Sequence, residues 1–260
     1  MPFSPEIALD VRGLTVNFVE NDGSLEVLDN LSFAVEQKAF VCVIGPSGGG
    51  KSTLLRTLGG LLKPTSGEIL FPQHASQNQQ TGLVFQKPNL MPWRTLYENI
   101  SLPLELASKP KAEINRITAE MIELVGLSGF EKSYPHELSG GMAQRVAIAR
   151  SLVQDPEILL LDEPFGQLDA LTRERMGEEL LRIWGEKRKT VLMVTHSIPE
   201  AIYLADRVLV MTSRPAQISL DMPIGLSRPR RQEVRYTPEF GHLSQLVHER
   251  LSQNELGCGV

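Results

Sequence analysis

The spacing of apolar positions changes period several times along the chain. From Ile7 the run IALDVRGLTVNFV alternates in part, NDG offers a turn, and LEVLDNLSFAV alternates again, which predicts half-buried strands. KAFVCVIGPSGGGKSTLLRTLGGLL then passes from a short unbroken apolar run, through glycines, to helical spacing. That is the strand, loop, helix order of an α/β nucleotide fold. KPTSGEILFPQ returns to turn and strand. Between residues 87 and 153 the texture becomes helical: Ile114, Ile117, Met121, Ile122 and Val125 recur at helical spacing and stop at Gly126. SGGMAQRVAIARSLVQDP predicts a second helix, with Met142, Val146 and Ile148 or Ala149 on its apolar stripe and a stop near Pro156. EILLLDEP and TVLMVTH are apolar without alternation, as strands buried on both faces are, and LTRERMGEELLRIWGEKRK between them predicts a helix. ADRVLVMT and QISLDM predict further strands. From about Asp221 the chain turns polar, with LSRPRRQE as a loop and EFGHLSQLVHERLS as a short amphipathic helix. The expected organisation is one domain over 1–260: a core from 1–86 and 154–220, a helical insertion over 87–153, and a C-terminal extension over 221–260.

Composition narrows the classes. With 260 residues, 42% of them hydrophobic, the chain can bury a substantial core. A formal net charge of −5 argues against a general nucleic-acid surface, and no nucleic-acid partner is expected. Cys42 lies in an apolar run and Cys258 near the end, which forms neither a metal pattern nor a disulfide framework and fits a reducing compartment. No basic-then-apolar leader is evident, and the apolar runs fall short of the roughly 20 residues that cross a bilayer. A soluble chain that docks onto something in a membrane is the expectation.

The chemistry concentrates at strand ends. Gly45, Pro46, Ser47, Gly48, Gly49, Gly50, Lys51 and Ser52 fit G-x-x-x-x-G-K-[ST] at every required position. The glycines let successive N–H groups point at phosphate oxygens, and the following helix adds its positive end. Lys51 has the reach for outer phosphates, and Ser52 or Thr53 can give an oxygen to Mg²⁺. Asp162 ends the ILLLD run, where open α/β sheets bind ligands, and is the natural Mg²⁺ partner. Glu163 follows it, placed to orient or deprotonate an attacking water, or else is a solvated strand-end carboxylate. His196 and Gln86 close two further apolar runs; a γ-phosphate contact and a water- or Mg²⁺-sensing amide are the functional readings. Ser139, Gly140 and Gly141 open the SGGMAQR helix as a plain serine cap or as a second anion site.

Taken in order, GPSGGGKS, LVFQ, LSGGMAQR, ILLLDEP, GQLD and VTHS resemble the motifs of ATP-binding cassette (ABC) ATPases over roughly residues 7–220. The resemblance implies an α/β phosphate-loop NTPase core with a mixed sheet, an N-terminal antiparallel β subdomain and an inserted helical subdomain. It implies ATP and Mg²⁺ held by Gly45–Thr53, Ser52, Gln86 and Asp162, with Glu163 as catalytic carboxylate and His196 as switch histidine. Phe18 is the best match to the adenine-stacking aromatic and Asp169 to the aspartate at a dimer seam. It further implies that Ser139–Gly141 close over ATP held by a facing chain, so that a homodimer or a pair with a related subunit sandwiches two nucleotides. Leu90, Met91, Pro92 and Trp93 followed by RTLYENI, together with MTSRPAQI, resemble the importer branch for nitrate, aliphatic sulfonates, taurine and related small anions or thiamine precursors. That branch implies permease partners, an indirect link to an extracytoplasmic binding protein, and a peripheral place on the cytoplasmic face of the inner membrane. A soluble ATPase of DNA repair or translation, or a nucleotide-binding regulatory module, stands as the alternative. Three departures are visible: Gly49 for the usual cysteine or serine, Gln167 for the usual alanine, and a polar span between Gly67 and Gln86 with no clear DG turn.

Overall fold

The computed structural model describes residues 6–20, 23–71 and 81–256. The NDG turn at Asn21 and Asp22, most of the polar span (72–80) and Cys258 lie outside the described residues. The chain divides into two compact units, Met1–Gln77 with Thr190–Val260 and Asn78–Lys189. The second unit therefore takes in, beside the helical segment over 87–153, two strands and the helix that follows them.

In the first unit, β1 (Ile7–Glu20) pairs antiparallel with β2 (Gly23–Glu36) and with β4 (Ser66–Leu70), giving a three-stranded sheet in the order β2-β1-β4. The partial alternation has a structural origin, since register shifts interrupt the β1–β2 ladder four times and move side chains between faces. A second sheet holds β7 (Thr190–Thr195), β3 (Phe40–Ile44) and β8 (Arg207–Met211) in parallel, with β9 (Ile218–Pro223) antiparallel at the edge. Every residue of β3 and β7 is buried, which is why their sequences show no alternation. Each such Val, Leu or Ile contributes about 1.5–3 kcal/mol by leaving water. Helix α1 (Lys51–Leu58) packs on β2 and β7. After α6 (Ile198–Leu204), the last described helix is α7 (Pro238–Leu256), which at 19 residues is longer than its short amphipathic stretch suggested.

In the second unit β5 (Thr81–Val84) lies parallel to β6 (Ile158–Asp162). Helices α2 (Leu96–Leu106), α3 (Lys111–Leu124) and α4 (Gly140–Leu152) pack together, and α5 (Ala170–Lys187) follows β6. No strand interrupts residues 87–153 among the described residues, as the helical spacing implied. Details of the buried faces differ from the periodicity. Thr118 is buried in α3 where Ile117 is only half-buried, and Met142 is half-buried in α4. α4 meets α2, α3, α5 and β5, so from Gln144 onward it is enclosed on several sides and a single stripe does not describe it.

Candidate functional site

In the first unit a glycine-rich loop curls at the carboxyl end of β3. Ile44 pairs in register with Thr195 on one side and with Val210 on the other. Gly45 and His196 therefore leave the sheet side by side, level with Met211, the last residue of β8, with neighbouring strands about 4.8 Å apart. The loop then curls: Gly48 and Gly50 have φ of 75° and 89°, left-handed values that glycine adopts without a Cβ penalty. A Cβ on Gly50 would lie 2.9 Å from Leu28 Cδ2 and 3.0 Å from Val27 Cγ1, so β2 seals the loop from behind. Gly49 is equally tight, with a would-be Cβ 3.0 and 3.1 Å from the carbonyl oxygens of Pro46 and Thr212; glycine here matches the close approach of the β8–β9 turn.

Lys51 is 5% exposed, and its Nζ donates to the carbonyls of Gly45 and Pro46, both at 2.9 Å. The ammonium is thus held inside the curl, within reach of anything bound there. Ser52 and Thr53 are half-buried in the first turn of α1, and Ser47 is exposed on the loop. His196 is exposed. Phe18 is 37% exposed and pairs with Leu25 on β2, two residues before the Val27 that abuts Gly50. An aromatic ring open to water to this extent is unlike a core phenylalanine.

In the second unit the register of β5 and β6, Val84 with Leu161, brings Gln86 level with Glu163. Gln86 Nε2 donates to Glu163 Oε2 at 3.4 Å. Gly166 makes room for the pair, since a Cβ there would sit 3.2 Å from Gln86 Nε2 and 3.5 Å from Glu163 Oε2. Asp162 is 5% exposed at the strand end, whereas Glu163 has φ of 44°, a left-handed backbone uncommon outside glycine, Asn and Asp. The strand thus stops abruptly after Asp162.

The same unit places Ser139–Gly141 at the start of α4. Ser139 Oγ accepts from the Met142 amide at 3.3 Å, and Ser139 and Gly140 are exposed. Would-be Cβ atoms on Gly140 and Gly141 lie 3.2 Å from Leu168 Cδ2 and from Thr172 Cγ2. Asp169 caps α5 by accepting from the Thr172 amide at 3.0 Å, and hydrogen bonds from Thr172 hold its carboxyl below the usual range. Ser139, Gly140, Gly141 and Asp169 therefore share one surface, with Gln167 exposed beside it.

The ABC transporter family profile matches residues 28–166. The chain belongs to the ABC transporter ATPase family. This ABC ATPase is 49% identical over 227 residues to an uncharacterized ABC transporter ATP-binding protein of Methanocaldococcus jannaschii, covering 86% of this chain and 85% of that one. It is 45% identical over 254 residues to the aliphatic sulfonates import ATP-binding protein SsuB of Bacillus thuringiensis subsp. konkukian, covering 96% and 100%. Among solved structures it is similar to a dimeric ATP-binding cassette in a post-hydrolysis state with ADP and Pi, with a TM-score of 0.72, 30% identity and coverage of 84% and 100%. CbiO1 of Clostridium perfringens, part of the ABC transporter complex cbiONQ, aligns with a TM-score of 0.76 at 27% identity over 95% and 98%. The ABC ATPase binds and hydrolyses ATP in the service of a transporter. Among its described residues no helix is long and apolar enough to cross a membrane.

Two supports of the site were not read from the sequence. Buried Asn99 pins the segment before α2: its Oδ1 accepts from the Met91 amide at 2.7 Å, and its Nδ2 donates to the carbonyls of Met91, Arg94 and Thr95 at 2.9–3.2 Å. Arg150 adds bonds to the carbonyls of Pro88 and Asn89 at 2.7 and 2.9 Å. Between these clamps Trp93 is 72% exposed, so it belongs to the surface and not to the helical core. The other support is at the far end of the chain and concerns His196.

Proposed function

We propose that this ABC ATPase powers uptake of a small anionic solute of the sulfonate, taurine or nitrate kind, as one of two head-to-tail ATPase chains beneath separate permease subunits. Its place is the cytoplasmic face of the inner membrane, with an extracytoplasmic binding protein delivering the solute. Similarity to the SsuB sulfonate importer along nearly the whole chain supports the direction and the solute class.

The chemistry follows from the residues. Backbone amides of Gly45–Thr53 and the start of α1 bind the phosphates, and Lys51 exchanges its two loop carbonyls for outer phosphate oxygens. Ser52 and Asp162 are hard oxygen donors of the type Mg²⁺ takes, and the ion, when bound, offsets charge on the β- and γ-phosphates. Glu163, held against Gln86, accepts a proton from water as its oxygen attacks the γ-phosphorus; the bond to the β–γ bridging oxygen breaks, leaving ADP and phosphate. His196, beside the loop by register, hydrogen-bonds the γ-phosphate. Phe18 stacks on the adenine. Ser139, Gly140 and Gly141 of the facing chain supply a helix N-terminus to the same phosphate, with Asp169 at the seam.

Trp93 is the observation that carries the transporter coupling. A large aromatic side chain, exposed on a segment pinned by Asn99 and Arg150, is already ordered for insertion into a partner and loses little entropy on docking. Trp93→Ala should leave hydrolysis by the isolated protein within about twofold of normal, while permease-stimulated hydrolysis and uptake into reconstituted vesicles fall at least tenfold or so. Unimpaired stimulation in that variant would remove Trp93 from the coupling surface. Vesicles offered labelled alkanesulfonate, taurine and nitrate in parallel decide the solute.

A further inference from the structure

Helix α6 is seven residues long, and side chains hold it at both ends. At its start Thr195 Oγ1 donates to Glu200 Oε2 at 2.7 Å and accepts from the Ser197 amide at 3.0 Å, while the Glu200 amide donates to Ser197 Oγ at 3.4 Å. Thr195 and Ser197 flank His196. The backbone of the histidine is therefore fixed by a cycle of hydrogen bonds whose anchor is a buried carboxylate in the first turn of α6.

The other end of α6 is held from the C-terminal extension. Arg230, 7% exposed, donates through Nη1 to the carbonyls of Ile202, Tyr203 and Ala205 at 3.2, 3.0 and 2.6 Å. These are last-turn carbonyls that a helix leaves without partners. Its Nε and Nη2 donate to the Leu226 carbonyl at 3.3 and 3.1 Å. Arg228 adds bonds to the Leu204 carbonyl and to Asp206 Oδ1 at 2.6 and 2.7 Å. Fully buried Tyr203 donates from its hydroxyl to the Arg230 carbonyl at 3.3 Å, and the Arg235 guanidinium lies 4.2 Å over its ring. Burial, and then the neighbouring Arg228 charge, lower the Arg230 pKa to about 10, so the guanidinium keeps its proton at neutral pH.

The geometry points to Arg230 as a positioning residue for His196, with the C-terminal extension an integral part of the hydrolytic apparatus. A helix this short does not hold itself in place, and its two ends are only about 10 Å apart, so a clamp on one end fixes the other. The inference rests on His196 acting at the γ-phosphate. None of the Arg230 hydrogen bonds described above reaches the glycine loop between β3 and α1. Loss of Arg230 should therefore slow turnover more than it weakens nucleotide binding.

A double-mutant cycle on the full chain tests this, with turnover and ATP affinity measured for Arg230→Met, His196→Ala and the double variant. Arg230→Met should lower kcat about tenfold with ATP affinity within about twofold, and should lower it by less than about twofold once His196 is alanine. Equal loss in both backgrounds, or unchanged turnover in Arg230→Met, overturns the inference while leaving the site reading intact. Unchanged turnover in His196→Ala overturns both. If Arg230→Met does not accumulate as folded protein, Arg230→Lys takes its place in the same cycle, keeping the charge with fewer carbonyl bonds.

Discussion

Replacing Glu163 with glutamine will lower ATP turnover by about 100- to 1,000-fold while leaving nucleotide binding intact. The change is nearly isosteric, and glutamine's amide oxygen still accepts from Gln86 across the present 3.4 Å contact. It does nothing to the phosphate loop, and the left-handed backbone at residue 163 is no harder for glutamine than for glutamate. What is lost is the group that takes the proton from the attacking water. ATP then persists, and with it the closed pair of chains. Phosphate release, read alongside light scattering with and without ATP, should show a slow enzyme that has become a stable ATP-dependent dimer. Full hydrolysis by the variant would mean that another group removes the proton.

Gly140→Asp will uncouple stability from activity. Gly140 is the first residue of α4, exposed and not at positive φ, and the nearest obstacle to a Cβ is the flexible tip of Leu168 at 3.2 Å. A carboxylate in the first turn interacts favourably with the helix dipole, by about 0.3–1 kcal/mol, so thermal stability should not fall. The same carboxylate neutralises the anion site from within and repels a γ-phosphate approaching it. ATP affinity of the separate chain should stay normal, whereas ATP-dependent dimerisation is lost and turnover drops at least about 100-fold. A variant that remained an active dimer would show that this helix start faces no phosphate.

Much of this architecture was legible because its causes are local. Continuous apolar runs mark β3, β6 and β7, since strands covered on both faces need no polar alternation. The phosphate loop is legible because only glycine tolerates the φ at Gly48 and Gly50 and the contact with Leu28. Helix α2 escaped the periodicity because Pro103 interrupts it, although Thr95 and Glu98 form a capping box that was there to be read. Helix α6 is too short to show a period, and its signals were the Ser197-x-x-Glu200 start and Pro199 in the first turn. The roles of Asn99 and Arg230 could not be found from spacing. Each is a polar side chain buried to satisfy backbone carbonyls, and which carbonyls lack partners is known only once the chain has folded. Phe18 and Trp93 were ambiguous for a related reason: an aromatic residue in an apolar run gives no sign of whether it faces core or water.

The central claim is that one chain's phosphate loop is completed by another chain's signature helix. Mixing two individually inactive full-length variants, Lys51→Ala and Gly140→Asp, tests it most directly. In a head-to-tail pair both lesions fall in one composite site and the other site is intact, so ATP turnover should reappear on mixing and rise with the concentration of either partner. A mixture that stays as silent as its two components would contradict the account, because each chain would then need its own loop and its own signature.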